Sequence, residues 1–309
     1  MITTITLNPA IDKFYLVDGI TQGTVMRVKQ VINSAGGKGV NVSRVARQLG
    51  EEVTTLGFAG GHNGNALTQW LEQSGIRSEF TPVAGETRCC INIRDQRTGS
   101  HTEFLEPGQS VTEDDLAALL ASFEAHLPQT KVVTISGSTP KGTPEDFYAK
   151  LIQAAKKAGV PVILDTSGAA LKASLRALPT IIKPNLSELA ELAGIDANDR
   201  TAVLEAARQL CRSGIEAVVV SLGSEGVLYV SREAELQGIA PKIDVQNTVG
   251  CGDSMVAGLA VAISRNLGVE DALRLAMATA AANAADLRTG WVDPRLVAEL
   301  IPRSQITSI

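Results

Sequence analysis

The chain has 309 residues, of which 44% are hydrophobic and only 4% aromatic, and it carries a formal net charge of −5. This composition predicts a globular enzyme with an aliphatic core, built as one large α/β unit with an elaboration. The acidic balance provides no basic surface for a nucleic-acid backbone, so we expect no nucleic-acid partner. No apolar run reaches the ~18 residues of a membrane span and no signal peptide is recognised, so we expect no membrane partner either.

The four cysteines, at positions 89, 90, 211 and 251, lack C-x-x-C spacing, and the three histidines are scattered. This pattern predicts neither a metal cluster nor a disulfide framework. Reduced thiols are typical of the cytoplasm, where we expect the protein to reside.

The first third of the chain contains short β-rich stretches that do not belong to one regular alternation. Residues 2–7 form a predicted strand that stops at Pro9. The segments 10–33 and 86–107 consist of further extended pieces broken by glycines. We predict that these two segments pair as a small β lid, and that residues 1–9, 34–85 and 108–309 form an α/β core.

The glycine-rich run from Ser34 to Asn41 opens a predicted helix that ends at Gly50. It is not a P-loop, because Lys38 is followed by Gly39 rather than by Ser or Thr, and it is not a Rossmann fingerprint. As a bare pattern it is explained by turn chemistry.

From residue 111 onwards, predicted helices alternate with apolar strands. Such alternation predicts a mostly parallel sheet that is covered by helices on both faces. Ligands bind beyond the carboxyl ends of the strands in these sheets. The polar residues at or just past predicted strand ends are Asp12, Ser138, Asp165, Asn185 and Ser221. The segment 222–226 joins two apolar runs, which is typical of a tight hairpin turn.

The stretch Asn247-Thr248-Val249-Gly250-Cys251-Gly252-Asp253-Ser254 precedes a predicted amphipathic helix. Two glycines allow the backbone to approach a ligand, and the free amides of a helix start suit an anion. Asp253 would then lie beside the group with which that anion reacts. Alternatively, Asp253 caps the helix and the glycines form a turn. These eight residues alone do not decide between the two interpretations.

Seven motifs, in order along the whole chain, resemble the ribokinase-like, phosphofructokinase-B type sugar kinases. They are Asn8-Pro9-x-x-Asp12, Gly36-Gly37-Lys38-Gly39-x-Asn41, Thr87-Arg88-x-x-Ile91-Asn92, Ser136-Gly137-Ser138-x-Pro140, Lys183-Pro184-Asn185-x-x-Glu188, Ser221-Leu222-Gly223-x-x-Gly226 and Gly250-Cys251-Gly252-Asp253. The departures are small: Cys251 stands where alanine is usual, and Thr139 where leucine is common. The resemblance implies a ribokinase-like, doubly wound, mostly parallel sheet with helices on both faces and a small β-sheet lid.

The resemblance also assigns roles to residues. It implies that Asp253 is the catalytic base and that the amides of Gly250, Cys251 and Gly252 form an anion hole. Because a carboxylate at a helix start should stay ionised, we expect Asp253 to be a weak base. The resemblance places Asp12, Gly37, Lys38 and Asn41 around the sugar, with Arg27, Lys38, Arg88 and Ser138 as candidates for the phosphate already on it. It places Lys183, Asn185, Ser221, Gly223, Gly226 and Thr248 against the nucleotide, and Asn185 and Glu188 near a hydrated metal.

Within the family, the chain is most similar to the ketohexose-phosphate branch. This implies an enzyme that uses ATP and Mg²⁺ to phosphorylate a ketohexose monophosphate, with fructose 1-phosphate giving fructose 1,6-bisphosphate as the first candidate reaction. Tagatose 6-phosphate and fructose 6-phosphate are alternative acceptors. A kinase of free sugars and a non-catalytic sugar-phosphate sensor are further alternatives, against which Arg88 and Asp253 respectively argue. The resemblance also predicts a homodimer through the lid.

Overall fold

The computed structural model describes residues 1–309 and contains fourteen strands and ten α-helices. The strands are β1 (Ile2–Thr6), β2 (Ala10–Val17), β3 (Gln30–Gly36), β4 (Val53–Ala59), β5 (Arg77–Pro82), β6 (Arg88–Asp95), β7 (His101–Leu105), β8 (Val132–Ser136), β9 (Val162–Asp165), β10 (Ile181–Ile182), β11 (Ala217–Ser221), β12 (Val227–Ser231), β13 (Glu235–Ile239) and β14 (Gln305–Ser308). The helices are α1 (Lys38–Gln48), α2 (Gly61–Gln73), α3 (Glu113–His126), α4 (Phe147–Lys157), α5 (Gly168–Ser174), α6 (Leu186–Ala193), α7 (Arg200–Arg212), α8 (Cys251–Ser264), α9 (Val269–Ala284) and α10 (Pro294–Leu300). None of the helices combines the length and apolar character needed to cross a membrane.

The main sheet has ten strands in the order β14-β13-β12-β11-β10-β9-β8-β1-β4-β5. The strands from β11 to β5 run parallel to one another, while β12, β13 and β14 continue the sheet as antiparallel neighbours. The chain goes from β1 to β4 on one side and later returns to β8 on the other. The crevice at this reversal, beyond the carboxyl ends of β1 and β8, is where sheets of this kind bind ligands.

Two hydrophobic cores cover the two faces of this sheet. Residues of one strand alternate between them: Ile2 belongs to the core that contains α1, α8 and α9, whereas Ile5 belongs to the core that contains α3, α4 and α7. The near-continuous apolar character of β1, β8, β9 and β11 follows from burial on both faces.

A second sheet has four strands in the order β3-β2-β6-β7. Its central pair, β2 and β6, runs parallel with Asp12 opposite Cys90, and β3 and β7 flank them as antiparallel neighbours. The structure thus confirms a mostly parallel main sheet with a smaller separate sheet.

Several details of the sequence prediction were wrong. Residues 34–36 do not begin a helix but complete β3, and the helix starts at Lys38. Strands β5, β13 and β14 were not predicted.

Candidate active site

A cavity of about 640 Å³ lies between the two sheets, at the carboxyl ends of the main strands. The second sheet contributes Asp12, Arg88, Cys90 and Glu103 among others, and the main sheet contributes its strand ends and helix starts. The sequence-predicted residues that line this cavity are Asp12, Gly37, Lys38, Asn41, Arg88, Ser138, Lys183, Asn185, Glu188, Ser221, Gly250, Gly252 and Asp253.

The residues 247–253, which we call the glycine turn, lead into α8 at one wall of the cavity. Gly250 is the N-cap with a φ of 82°, a conformation that favours glycine. A Cβ at Gly250 would also come within 2.9 Å of Thr289 and 3.1 Å of the Gly290 amide. The turn therefore requires glycine here for both conformation and space.

Two buried asparagines, neither of which the sequence assigned a role, fix the shape of the glycine turn. Asn247 accepts a hydrogen bond from the Val249 amide (3.0 Å) and donates one to the Leu287 carbonyl (3.0 Å). Asn283 donates to the Val249 carbonyl (2.9 Å) and accepts from the Gly290 amide (2.9 Å). Because all four partners are backbone groups, these side chains fix the shape of the turn. Asn247 stood within a quoted motif, but Asn283 lies inside an alanine-rich helix and gave no signal.

Asp253 lies in the first turn of α8 and is 6% exposed. Its carboxylate accepts a hydrogen bond of 2.8 Å from the side-chain amide of Asn41, 212 residues away in the chain. Burial raises the pKa of Asp253 to about 6, and the charges of Lys38 and Lys183 and the Asn41 hydrogen bond only partly oppose this. This direction is opposite to the weak base expected from a helix start, because burial disfavours the ionised carboxylate.

Asp12 is the second carboxylate in the cavity whose pKa is strongly shifted. Burial raises the pKa of Asp12 to about 7, with Arg44 acting in the opposite direction. A Cβ at Gly36, on the neighbouring strand β3, would lie 2.1 Å from the Asp12 carboxyl carbon. Position 36 must therefore be glycine to leave room for the Asp12 side chain.

Arg44 lies behind Asp12 and joins two distant parts of the chain. Its Nη1 atom donates to the carbonyls of Ala35 (3.1 Å) and Thr289 (3.0 Å). Arg44 thereby links the C-terminal end of β3 to the loop after α9 beside the cavity.

Arg88, Asn8 and Ser138 form a connected polar group at the second sheet's side of the cavity. The Arg88 guanidinium donates to the carbonyls of Glu106 (2.9 Å) and Asn8 (3.0 Å), while its buried Nε has no partner. The Asn8 side chain donates in turn to the Ser138 hydroxyl (3.3 Å). Arg88 therefore faces the cavity with donor capacity left over.

A buried carboxylate at the end of β9 pairs with two lysines. Asp165 lies 3.6 Å from the Lys38 ammonium and 3.3 Å from the Lys183 ammonium, and its side chain is 1% exposed. Burial opposes ionisation, but the two lysines outweigh it and hold the pKa of the Asp165 carboxyl below its usual value.

Asn185 and Glu188 form a capping box at the start of α6. The Glu188 amide donates to Asn185 (2.8 Å), and the Asn185 amide donates to Glu188 (2.9 Å). Each side chain keeps acceptor capacity and both line the cavity. The structure contains no group of three or more His, Cys, Asp or Glu side chains that could hold a metal directly. This donor set fits only a largely hydrated ion such as Mg²⁺, which keeps several waters.

Five predicted residues do not line the cavity: Arg27, Gly223, Gly226, Thr248 and Cys251. Arg27 lies on the exposed connection between β2 and β3. Gly226 has a structural requirement, since a Cβ there would meet the Gly238 carbonyl oxygen at 2.0 Å. The Cys251 thiol packs 3.5 Å from the Asn283 amide, and burial raises its pKa to about 11, so it stays protonated near neutral pH.

A cavity of this kind, with an acid beside a helix N-terminus and cationic side chains around it, is typical of kinases that phosphorylate small polar molecules. A model of the pfkB family carbohydrate kinases matches residues 4–290. The chain belongs to this family, and it is an ATP-dependent carbohydrate kinase.

Solved structures support the assignment. The chain is 30% identical to phosphofructokinase-2 from Escherichia coli, with a TM-score of 0.90 over 97% of this chain and 98% of that one. It is 26% identical to a possible 1-phosphofructokinase from Thermotoga maritima, with a TM-score of 0.92 over 100% and 99%. Arabidopsis thaliana ribokinase, 22% identical with a TM-score of 0.78 over 97% and 98%, shares the fold. The predicted ribokinase-like fold is thus confirmed.

Proposed function

We propose that the protein transfers the terminal phosphoryl group of ATP to a ketohexose monophosphate, with fructose 1-phosphate as the first candidate acceptor. The observation that carries this proposal is the group formed by Arg88, Asn8 and Ser138, with Lys38 on the facing helix. A guanidinium whose Nη groups each keep one N–H free, a hydroxyl and an ammonium group suit a phosphate dianion. The Arg88 guanidinium donates only to backbone carbonyls, so a neutral sugar would leave this cation without a counter-charge.

Asp253 is the proposed catalytic base. A pKa near 6 leaves it ionised at neutral pH while making it a better proton acceptor than an ordinary aspartate. The Asn41 hydrogen bond orients the carboxylate. The amides of Gly250, Cys251 and Gly252 at the start of α8 are proposed to stabilise charge on the transferring phosphoryl group, for which only backbone is needed. The Cys251 side chain takes no part in this role.

Asp12, Gly37 and Asn41 are proposed to surround the sugar, with Asp12 holding its hydroxyl groups. The proposed nucleotide site comprises Lys183, Asn185 and Ser221 in the cavity, with Gly223, Gly226 and Thr248 at its margin. Glu188 and Asn185, with waters and the nucleotide phosphates, would hold Mg²⁺, which neutralises phosphate charge when bound. Arg27 has the weakest support, because it lies outside the cavity.

The test is an assay of ADP release over fructose 1-phosphate, fructose 6-phosphate, tagatose 6-phosphate and the corresponding free sugars. We expect phosphorylated acceptors to give the highest kcat/KM, led by fructose 1-phosphate. Activity confined to free sugars would refute the proposal. Absence of phosphoryl transfer to any sugar would instead favour a non-catalytic sensor.

Fructose 6-phosphate is the second candidate acceptor. The Escherichia coli phosphofructokinase-2 has been described in complex with fructose-6-phosphate. The same assay distinguishes this 6-phosphofructokinase activity from the first candidate. Preference for tagatose 6-phosphate would indicate a tagatose-6-phosphate kinase.

We also propose that residues 10–33 and 86–107 act as a lid through which two copies form a homodimer. Large apolar side chains of the second sheet and its loops are exposed, including Val25 (94%), Phe104 (59%) and Leu105 (64%). An exposed sheet of this kind favours association with a second copy. The Escherichia coli phosphofructokinase-2 has been described in a tetrameric form. Four free thiols support a cytoplasmic location.

A further inference from the structure

Asp165 is a buried carboxylate whose partners are unusual. The only close polar partners of its carboxylate are the ammonium groups of Lys38 and Lys183. Neither lysine has another ion pair or hydrogen bond through its ammonium group in the structure. A buried ion pair roughly offsets its own desolvation cost, so fold stability alone does not account for this arrangement.

The two lysines connect Asp165 to both halves of the proposed site. The Lys183 ammonium lies 3.5 Å from the position that a Cβ on Gly252 would occupy, which places it against the glycine turn. Lys38 stands at the start of α1 with 43% of its side chain exposed, and its charge acts on both Asp165 and Asp253. Asp165 does not line the cavity, whereas both lysines do.

We propose that Asp165 is a positioning residue for phosphoryl transfer, and that its carboxylate holds Lys38 and Lys183 on the two sides of the path of the phosphoryl group. Both distances run to the same oxygen, so the two ammonium groups lie within about 7 Å of each other, where like charges repel. Without the anion between them, the half-exposed Lys38 would move towards solvent. Transfer depends on the placement of such cations more than on their number.

The inference rests on the proposed function and is tested by a mutant cycle of Asp165→Asn, Lys38→Met and the double variant. We expect Asp165→Asn to lower kcat by about 10²-fold, the scale of a displaced positioning group, with a smaller change in either KM. If Asp165 acts through Lys38, the loss in the double variant falls well short of the product of the two single losses. Losses that multiply, or a kcat within about threefold of the parent for Asp165→Asn, would overturn the inference.

The pH profile supplies a readout that a merely structural role would not move. The charged groups that act on Asp253 are Asp12, Lys38, Asp165 and Lys183. Lys38 lowers the pKa of Asp253 more than Asp165 raises it, so if loss of Asp165 lets Lys38 move away, the acid limb of kcat/KM should shift to higher pH. Loss of the Asp165 charge with Lys38 still in place would shift the limb to lower pH, and partial unfolding would scale the profile without shifting it; either result counts against the proposal.

Glu51→Gln is the matched control, because Glu51 forms a comparable pair with Arg265 outside the cavity, at 2.8 Å. Glu51→Gln should change neither kcat nor the position of the acid limb in the pH profile of kcat/KM. If Asp165→Asn does not fold, the kcat of the double variant, which lacks both the Asp165 anion and the Lys38 cation, is compared with the kcat of Lys38→Met. Equal values support the inference, and a much lower kcat in the double variant would overturn it. The cycle uses whichever sugar the parent phosphorylates, so failure of the proposed acceptor is separate from failure of this inference.

Discussion

Cys251 and Asp253 lie two residues apart in the first turn of α8, yet their side chains have different surroundings. Asp253 faces the cavity and Asn41, whereas the Cys251 thiol packs towards Asn283. We predict that Asp253→Asn lowers kcat by about 10²–10⁴ while substrate binding persists, as expected for loss of a general base. Steady-state kinetics measure kcat, and ligand titration measures substrate binding. Near-normal turnover would refute the role.

Cys251→Ala is the companion variant. Because the proposed role of this position belongs to its backbone amide, kcat should stay within a few-fold of the parent. A collapse of activity in a folded protein would mean that the thiol takes part.

Arg88 decides the class of acceptor. Arg88→Ala removes a charge-assisted contact of about 1.5–3 kcal/mol, which corresponds to a roughly ten- to 150-fold loss of affinity for the phosphosugar. Arg88→Lys should retain only part of the affinity for the phosphosugar, because the positive charge stays but the bidentate geometry of the guanidinium is lost. KM values for both substrates provide the measurement. A raised KM for ATP with an unchanged KM for the phosphosugar would place Arg88 on the wrong side of the site.

At the residue scale, the sequence predicted many of the side chains that line the cavity, but it did not predict their electrostatics. Asp12, Lys38 and Arg88 stand in recognisable motifs, and the cavity contains all three. The raised pKa of Asp253 depends on burial by elements that are far away in the chain, so the local sequence could not predict it. Asn283 fixes the glycine turn from the last turn of α9, and its spacing in the sequence does not distinguish it from other helix residues.

The elements of the central sheet were predictable because burial on both faces makes their sequences continuously apolar. Strand β5 reads Arg-Ser-Glu-Phe-Thr-Pro at the sheet edge, without alternation. Strands β13 and β14 lie at the other edge and are short and partly exposed. Edge strands obtain their structure from a neighbour rather than from their own composition, which is why the sequence did not reveal them.

The second sheet carries the prediction about association. We expect a dimer in light scattering at assay concentrations. Phe104→Asp, on the exposed strand β7, should shift the population towards monomer because a charge would be buried at the contact. Val245→Asp provides the control, since Val245 is similarly exposed (52%) outside the two lid segments. A parent that is monomeric throughout would overturn the proposed dimer.

The molecule as a whole should show a pH-dependent stability in the absence of ligands. Asp12 has a pKa of about 7 in the fold, against 3.8 for an ordinary aspartate, so between these pH values the folded state binds a proton that the unfolded state does not. Its contribution therefore destabilises the fold as pH rises through this window. We predict that the Tm of Asp12→Asn relative to the parent increases from pH 4.5 to pH 8, as measured by thermal denaturation. A constant difference would show that Asp12 titrates normally.

The hydrogen bond between Asn41 and Asp253 spans 212 residues, and the contacts of Arg44 with Thr289 span 245. Contacts of such separation form late, because most of the chain must be available before they can be made. During synthesis, domains begin to fold from the N-terminus while the rest is still being added. A ribosome-bound chain that ends after β11 contains Asp12 and Arg88 but neither Asp253 nor the glycine turn. We therefore expect such a chain to be inactive until the last fifth of the polypeptide has emerged.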